Sequence, residues 1–171
     1  RLMKRTPRRQ ETGPNTDRET SPLAEARQVR LEIEQREAAF KRMGYDSAAS
    51  IDFVLSRIPP IAGQILEVGS GKGRFATALA AKVGRIVSID VDPNEQRFAR
   101  LNALAQGLET RIRFEVQDAQ RLPWRAGTFD AVVTMNALHH FPVAEQAVRE
   151  MVRVLKPTGA LLAFSTQPDN C

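Results

Sequence analysis

Two periods of apolar residues divide this chain. Up to residue 58 the spacing is helical. Ala26, Val29, Ile33 and Phe40 mark one face of a helix predicted from Pro22 to about Met43. Ser21 stands as its N-cap, Pro22 fills the first helical position, and Gly44 ends it. Arg36 and Glu37 interrupt the apolar face. Ile51, Val54, Leu55 and Ile58 predict a second helix from Ser47 to Ile58, stopped by Pro59-Pro60. From residue 64 the pattern changes. Short apolar runs predict strands near 64–68, 86–90, 111–117, 129–135 and 159–165, alternating with helices near 73–83, 94–106 and 143–155. Such alternation predicts an α/β fold: a mostly parallel sheet with helices on both faces and right-handed crossovers. Residues 1–20 are polar and without period and are expected to form a disordered basic tail. Residues 21–60 then make an N-terminal helical extension, and residues 61–171 make the α/β unit.

Composition narrows the classes. The length allows one domain with a sizeable core. No apolar run is long enough to span a bilayer, and the basic start lacks the apolar segment of a secretory signal. Cys171 is the only cysteine, so neither an internal disulfide nor a cysteine metal cluster is expected. A cytoplasmic protein is the simplest reading. The net charge is +5, and most of the excess lies in the tail, in Arg1, Lys4, Arg5, Arg8, Arg9 and Arg18. A basic tail can touch nucleic acid or acidic membrane, but a solvated leader is the plainer reading.

The chemistry concentrates at Ile65-Leu-Glu-Val-Gly-Ser-Gly-Lys-Gly73, where an apolar strand enters a turn with glycine at 69, 71 and 73 and a helix follows. Backbone without Cβ atoms approaches a ligand closely, and the helix start offers unpaired N–H groups. This suits a nucleoside cofactor. A dinucleotide fingerprint requires Gly or Ala at the sixth position of the turn, and Arg74 stands there. Glu67 would repel a pyrophosphate and can face a cation. The run Glu67-x-Gly69-x-Gly71-x-Gly73 resembles the first motif of the class I S-adenosylmethionine-dependent methyltransferases. The resemblance implies a Rossmann-like fold and S-adenosylmethionine as cofactor, with Ser70 of the turn beside it.

Later segments fall into register with that resemblance. Asp90 ends the second strand about twenty residues beyond the first glycine, where an acid accepts hydrogen bonds from ribose hydroxyls. Val91 follows it, and Asp92-Pro93 reads as the N-cap and first position of the next helix. Asp118-Ala-Gln-Arg-Leu-Pro-Trp124, with Phe129-Asp130, resembles the third and fourth family motifs. There Asp118 and the N–H of Ala119 would hold the adenine edge. Asn136-Ala-Leu-His-His-Phe141 resembles a variant of the ubiquinone/menaquinone-biosynthesis type, which puts Asn136 beside the methionine part of the cofactor. His139 and His140, the only histidines, are the candidate bases. Each also admits a plain packing role. Two histidines without cysteine make a poor metal set, so no metal is expected. Glu150-Met-Val-Arg-Val-Leu-Lys-Pro-Thr-Gly159 resembles the turn into the family's fifth strand, with Thr158 in place of a glycine.

The resemblance implies direct in-line displacement of the methyl group by a small-molecule acceptor. In the family, N-terminal helices often shape the acceptor site, so residues 21–43 are a candidate lid. The family's sheet continues past the fifth strand, whereas this sequence ends at Cys171. The expected fold is therefore truncated after that strand, with an exposed edge that invites association. A homodimer through this edge or the N-terminal helix is one expectation. A cofactor-binding protein without turnover is the competing function. A nucleic-acid acceptor is disfavoured, because the fourth strand lacks the Asn/Asp-Pro-Pro-aromatic run of amino-methylating DNA enzymes.

Overall fold

The computed structural model describes residues 21–165 apart from 59, 61 and 62. The expected basic tail, the role of Pro59 as a helix stop and the last six residues lie outside the described residues. In chain order the elements are α1 (Pro22–Arg42), α2 (Ser47–Arg57), β1 (Ile65–Val68), α3 (Arg74–Val83), β2 (Ile86–Asp90), α4 (Pro93–Ala105), β3 (Ile112–Val116), β4 (Phe129–Met135), a 3₁₀ turn (Leu138–His140), α5 (Ala144–Val154) and β5 (Leu155–Phe164). The sheet runs β3-β2-β1-β4-β5, and each neighbouring pair is parallel. Strand order reverses between β1 and β4, the switch point beyond whose carboxyl ends open α/β sheets bind ligands.

Strand parity sorts the core into two layers. Ile65, Ile86, Phe114, Ala131 and Val133 pack against α2, α3 and α4, whereas Leu66, Val68, Ile89 and Val132 pack against Ala147, Met151 and Val154 of α5. The helix caps follow the sequence. The Ser21 side chain accepts from the N–H of Ala24 at 3.3 Å, and Asp92 Oδ1 accepts from the N–H of Asn94 at 2.8 Å. A third cluster seats α1 on α4, with Ala26, Val29 and Ile33 against Leu101 and Phe98. An ion pair between Glu25 and Arg97 adds to it.

Two elements differ from expectation. The turn expected at Lys156–Gly159 is absorbed into β5, which leaves α5 directly at Leu155. Register slips there: Phe129 pairs with Leu155, but Ala131 pairs with Ala160. Lys156 Nζ holds Asp130 Oδ1 at 2.8 Å, and a Cβ on Gly159 would lie 2.9 Å from the Asp130 carbonyl. The extra residues are thus folded flat against β4 as an irregularity. The 3₁₀ turn was not expected at all.

Candidate active site

The glycine turn closes tightly behind β1. Gly69 and Ser70 both donate backbone N–H bonds to the Ile89 carbonyl at 2.9 Å. Gly69 has φ +84°, and a Cβ there would come 2.3 Å from Ala137 Cβ, so only glycine lets the turn after β1 pass this close to the segment after β4. The two strand ends form the floor of a cavity of about 690 Å³. Ser70, Gly71, Asp90, Val91, Asp118 and Ala119 line one side of it, and Asn136, His140 and Phe141 line another.

Backbone amides fix the acids at the strand ends. Asp90 Oδ2 accepts from Gly71 N–H at 2.8 Å and Oδ1 from Asp92 N–H at 3.0 Å. A carboxylate offers about four acceptor sites, so roughly two remain for a ligand. Asp118 Oδ1 accepts from Gln120 N–H at 2.8 Å. The loop behind it is stapled to α5. Leu122 N–H donates to Glu150 Oε2 at 2.8 Å, and Arg153 donates to the carbonyls of Trp124 and Leu122 at 2.8 and 2.9 Å. Arg153 also forks onto Glu150 and holds that carboxyl below its usual range. Asn136 sits at φ +55°, the left-handed region, and its N–H donates to the Phe164 carbonyl of β5.

Three of the expected site residues stand off the cavity wall. Glu67 shares the face of Ile65, beneath α3 and α4. It is 1% exposed and accepts from Ser88 Oγ at 2.5 Å. Burial pushes its carboxyl up to about 8, with the nearby Asp90 charge acting in the same direction. Gly73, at φ +74°, is buried at the start of α3, where a Cβ would meet Ala99 Cβ at 2.8 Å. It lets α3 and α4 cross closely. His139 lies against His140 with centroids 4.0 Å apart and the rings tilted by 46°, but only His140 borders the cavity.

The fourth side of the cavity is a wall the motifs did not identify residue by residue. Ile33, Glu37 and Phe40 of α1, with Tyr45, Ser47 and Ile51, cover it. Arg74 Nε bonds Glu37 Oε1 at 2.7 Å, and Arg74 Nη2 bonds Ser47 Oγ at 2.6 Å, tying α1 and α2 to α3. The signal was Arg36-Glu37 interrupting the apolar face of α1. Among the described residues, no three His, Cys, Asp or Glu side chains gather as a metal site needs. Among them also, no helix is long and apolar enough to cross a membrane.

The doubly wound sheet and its crevice define an α/β protein of the Rossmann-like class, with acidic groups beyond the carboxyl ends of β2 and β3, the side on which open sheets of this kind bind ligands. Residues 66–163 match the methyltransferase domain family, and the chain belongs to that family. Methyltransferase GfsG of Streptomyces halstedii is 38% identical over 99 residues, 57% of this chain and 36% of the relative. A ubiquinone biosynthesis O-methyltransferase of Xanthomonas axonopodis pv. citri is 32% identical over 112 residues, covering 65% and 46%. Among solved structures, the [4+2]-cyclase SpnF superposes with a TM-score of 0.62 at 33% identity, over 67% of this chain and 43% of that one. The chain therefore spans less than half the length of these three proteins.

Proposed function

We propose that this chain holds S-adenosylmethionine in the crevice and methylates a small-molecule acceptor by direct in-line displacement, leaving S-adenosylhomocysteine. The observation that carries this reading is that Asp90 and Asp118 converge on one cavity beside the glycine turn. Carboxylates there accept from hydroxyl and amine donors such as a ribose and an adenine offer. The turn also has room, since a Cβ on Gly71 would find only Glu95 Oε2, at 3.8 Å.

When bound, S-adenosylmethionine supplies a methyl group already activated by its sulfonium. The chain's own residues bind and orient. Asp90 accepts from the ribose hydroxyls, and Val91 borders the base. Asp118 accepts from the exocyclic amine while the N–H of Ala119 donates to the ring. Gly69, Ser70, Gly71 and Asn136 flank the amino-acid end, and Glu67 and Gly73 brace the turn from behind. His140, rather than His139, takes the proton of an oxygen or nitrogen acceptor. Ile33, Phe40 and Phe141 exclude water, with α1 and α2 as a lid over the acceptor. Limited proteolysis tests the lid: cleavage within residues 21–43 that is unchanged by cofactor and acceptor removes it.

A small-molecule acceptor agrees with the similarity to a ubiquinone biosynthesis O-methyltransferase. The same reading takes the protein as cytoplasmic and as a homodimer through the edge of β5 or through α1. A monomer alone in sedimentation equilibrium removes the dimer. A second reading, cofactor binding without methyl transfer, is favoured by the likeness to a [4+2]-cyclase. Calorimetry with S-adenosylmethionine, S-adenosylhomocysteine and NAD tests the cofactor. Binding of the first two alone supports it, and binding of NAD alone sinks it. Transfer of labelled methyl across an acceptor panel then separates enzyme from binding protein.

A further inference from the structure

The underside of the glycine turn carries a polar side chain that the core does not explain. Gln96, in the first turns of α4, is 1% exposed. Its Nε2 donates to Ser70 Oγ at 2.9 Å and lies 3.5 Å from the Ser88 carbonyl. A carbonyl only accepts, so this neighbour favours the nitrogen end of the amide facing the turn. The other end, Oε1, has no hydrogen-bond partner among the described residues. Buried orphan acceptors are rare and destabilising, and each one calls for a reason.

Ser70 supplies that reason. It is 7% exposed and lines the cavity. A hydroxyl has one proton and two lone pairs. Gln96 occupies a lone pair, which leaves the proton free. Among the described residues, Ser70 Oγ accepts from Gln96 and donates to no side chain or carbonyl. Were the amide reversed, its oxygen would take that proton and face the Ser88 carbonyl. The rest of α4 grips the same turn. Asn102 Nδ2 donates to the Lys72 carbonyl at 3.2 Å, and Ala99 fills the space a side chain at Gly73 would need. One face of α4, at positions 96, 99 and 102, therefore holds the turn at residues 70, 72 and 73.

We propose that Gln96 is a positioning residue: it holds Ser70 as a hydrogen-bond donor toward an acceptor oxygen at the amino-acid end of the cofactor. The role rests on the S-adenosylmethionine reading above. Its cost to the fold is the buried Oε1.

The test compares two probes by calorimetry. S-adenosylhomocysteine has the amino-acid end, and 5′-methylthioadenosine has the same base, ribose and thioether without it. Gln96→Met, which conserves volume, should weaken S-adenosylhomocysteine by about tenfold and leave 5′-methylthioadenosine unchanged. Ser70→Ala should do the same, and the double variant should be no worse than Ser70→Ala alone, because both act through one hydroxyl. The thermal midpoint of Gln96→Met should hold or rise, since a buried orphan has gone. A merely structural Gln96 gives the opposite: a lower midpoint with unchanged affinity. The proposal is overturned by that result, by equal weakening of both probes, or by additive losses in the double variant. A wild-type protein that binds neither probe fells the cofactor reading itself, and this inference with it.

Discussion

Replacing Glu67 with glutamine should stabilise the protein at neutral pH, and by an amount that grows with pH. The folded carboxyl is raised from an ordinary 4.5 to about 8, first by burial and further by the neighbouring Asp90 charge. Below pH 4.5 both folded and unfolded states carry the proton, and the group has no effect on stability. Between 4.5 and 8 the unfolded state releases it while the folded state keeps it, so stability falls as pH rises. At about 1.4 kcal/mol per pH unit, the loss reaches about 3 kcal/mol at pH 7 and about 4 kcal/mol at pH 8, and levels off near about 5 kcal/mol above pH 9. Glutamine has nearly the same shape and cannot ionise, so Glu67→Gln removes the loss. Urea denaturation of both proteins from pH 4.5 to 8.5 measures it. The two stabilities should coincide near pH 4.5 and diverge steadily above it, with the variant on top. Parallel curves, or a variant less stable throughout, would refute a proton-bearing Glu67.

Four further outcomes follow from the geometry. Asp90→Ala should weaken S-adenosylhomocysteine binding by about 1–3 kcal/mol in calorimetry, the range for hydrogen bonds to a charged group; unchanged affinity in a folded variant removes Asp90 from the site. Gly73→Ala should cost about 2–5 kcal/mol in chemical denaturation, combining left-handed backbone with overlap on Ala99, and Ala99→Gly should restore little of it, because the backbone Cα of residue 99 still lies 2.9 Å from the new Cβ. Arg153→Met should cost about 2 kcal/mol and speed hydrogen exchange through residues 119–127 while leaving β1 and β2 protected; uniform exchange would mean that the staple does not hold the loop locally. Once an acceptor is found, His140→Ala should lower kcat without altering cofactor affinity, while His139→Ala should leave kcat nearly unchanged. Equal loss from both variants contradicts the assignment of His140 alone.

The alternation of strand and helix was readable because short runs rich in β-branched and aromatic residues alternate with helical patterns, and Gly69 closes β1 while Asp90 ends β2. The chain ends of those runs, at Asp90 and Asp118, carried the site with them. What escaped was direction. Glu67 stands two residues before Gly69, but spacing along one strand does not say which face of the sheet it joins, and it joined the face of α3 and α4. The three glycines read alike in sequence, yet Gly69 allows contact with Ala137 and Gly73 allows contact with Ala99, both set by distant chain. The docking of α1 on α4 through Ile33 and Leu101 was equally invisible, since it depends on pairs far apart in sequence. The slip in β5 depends on Lys156 finding Asp130 across the sheet, which Pro157 and Gly159 alone could not announce.

A crystal structure of the protein soaked with S-adenosylhomocysteine tests the central claim most directly. The account predicts adenine against Asp118 and Ala119, both ribose hydroxyls on Asp90, and the amino-acid end over Ser70 and Asn136. A nucleoside bound the other way round, or found only outside this crevice, would contradict it.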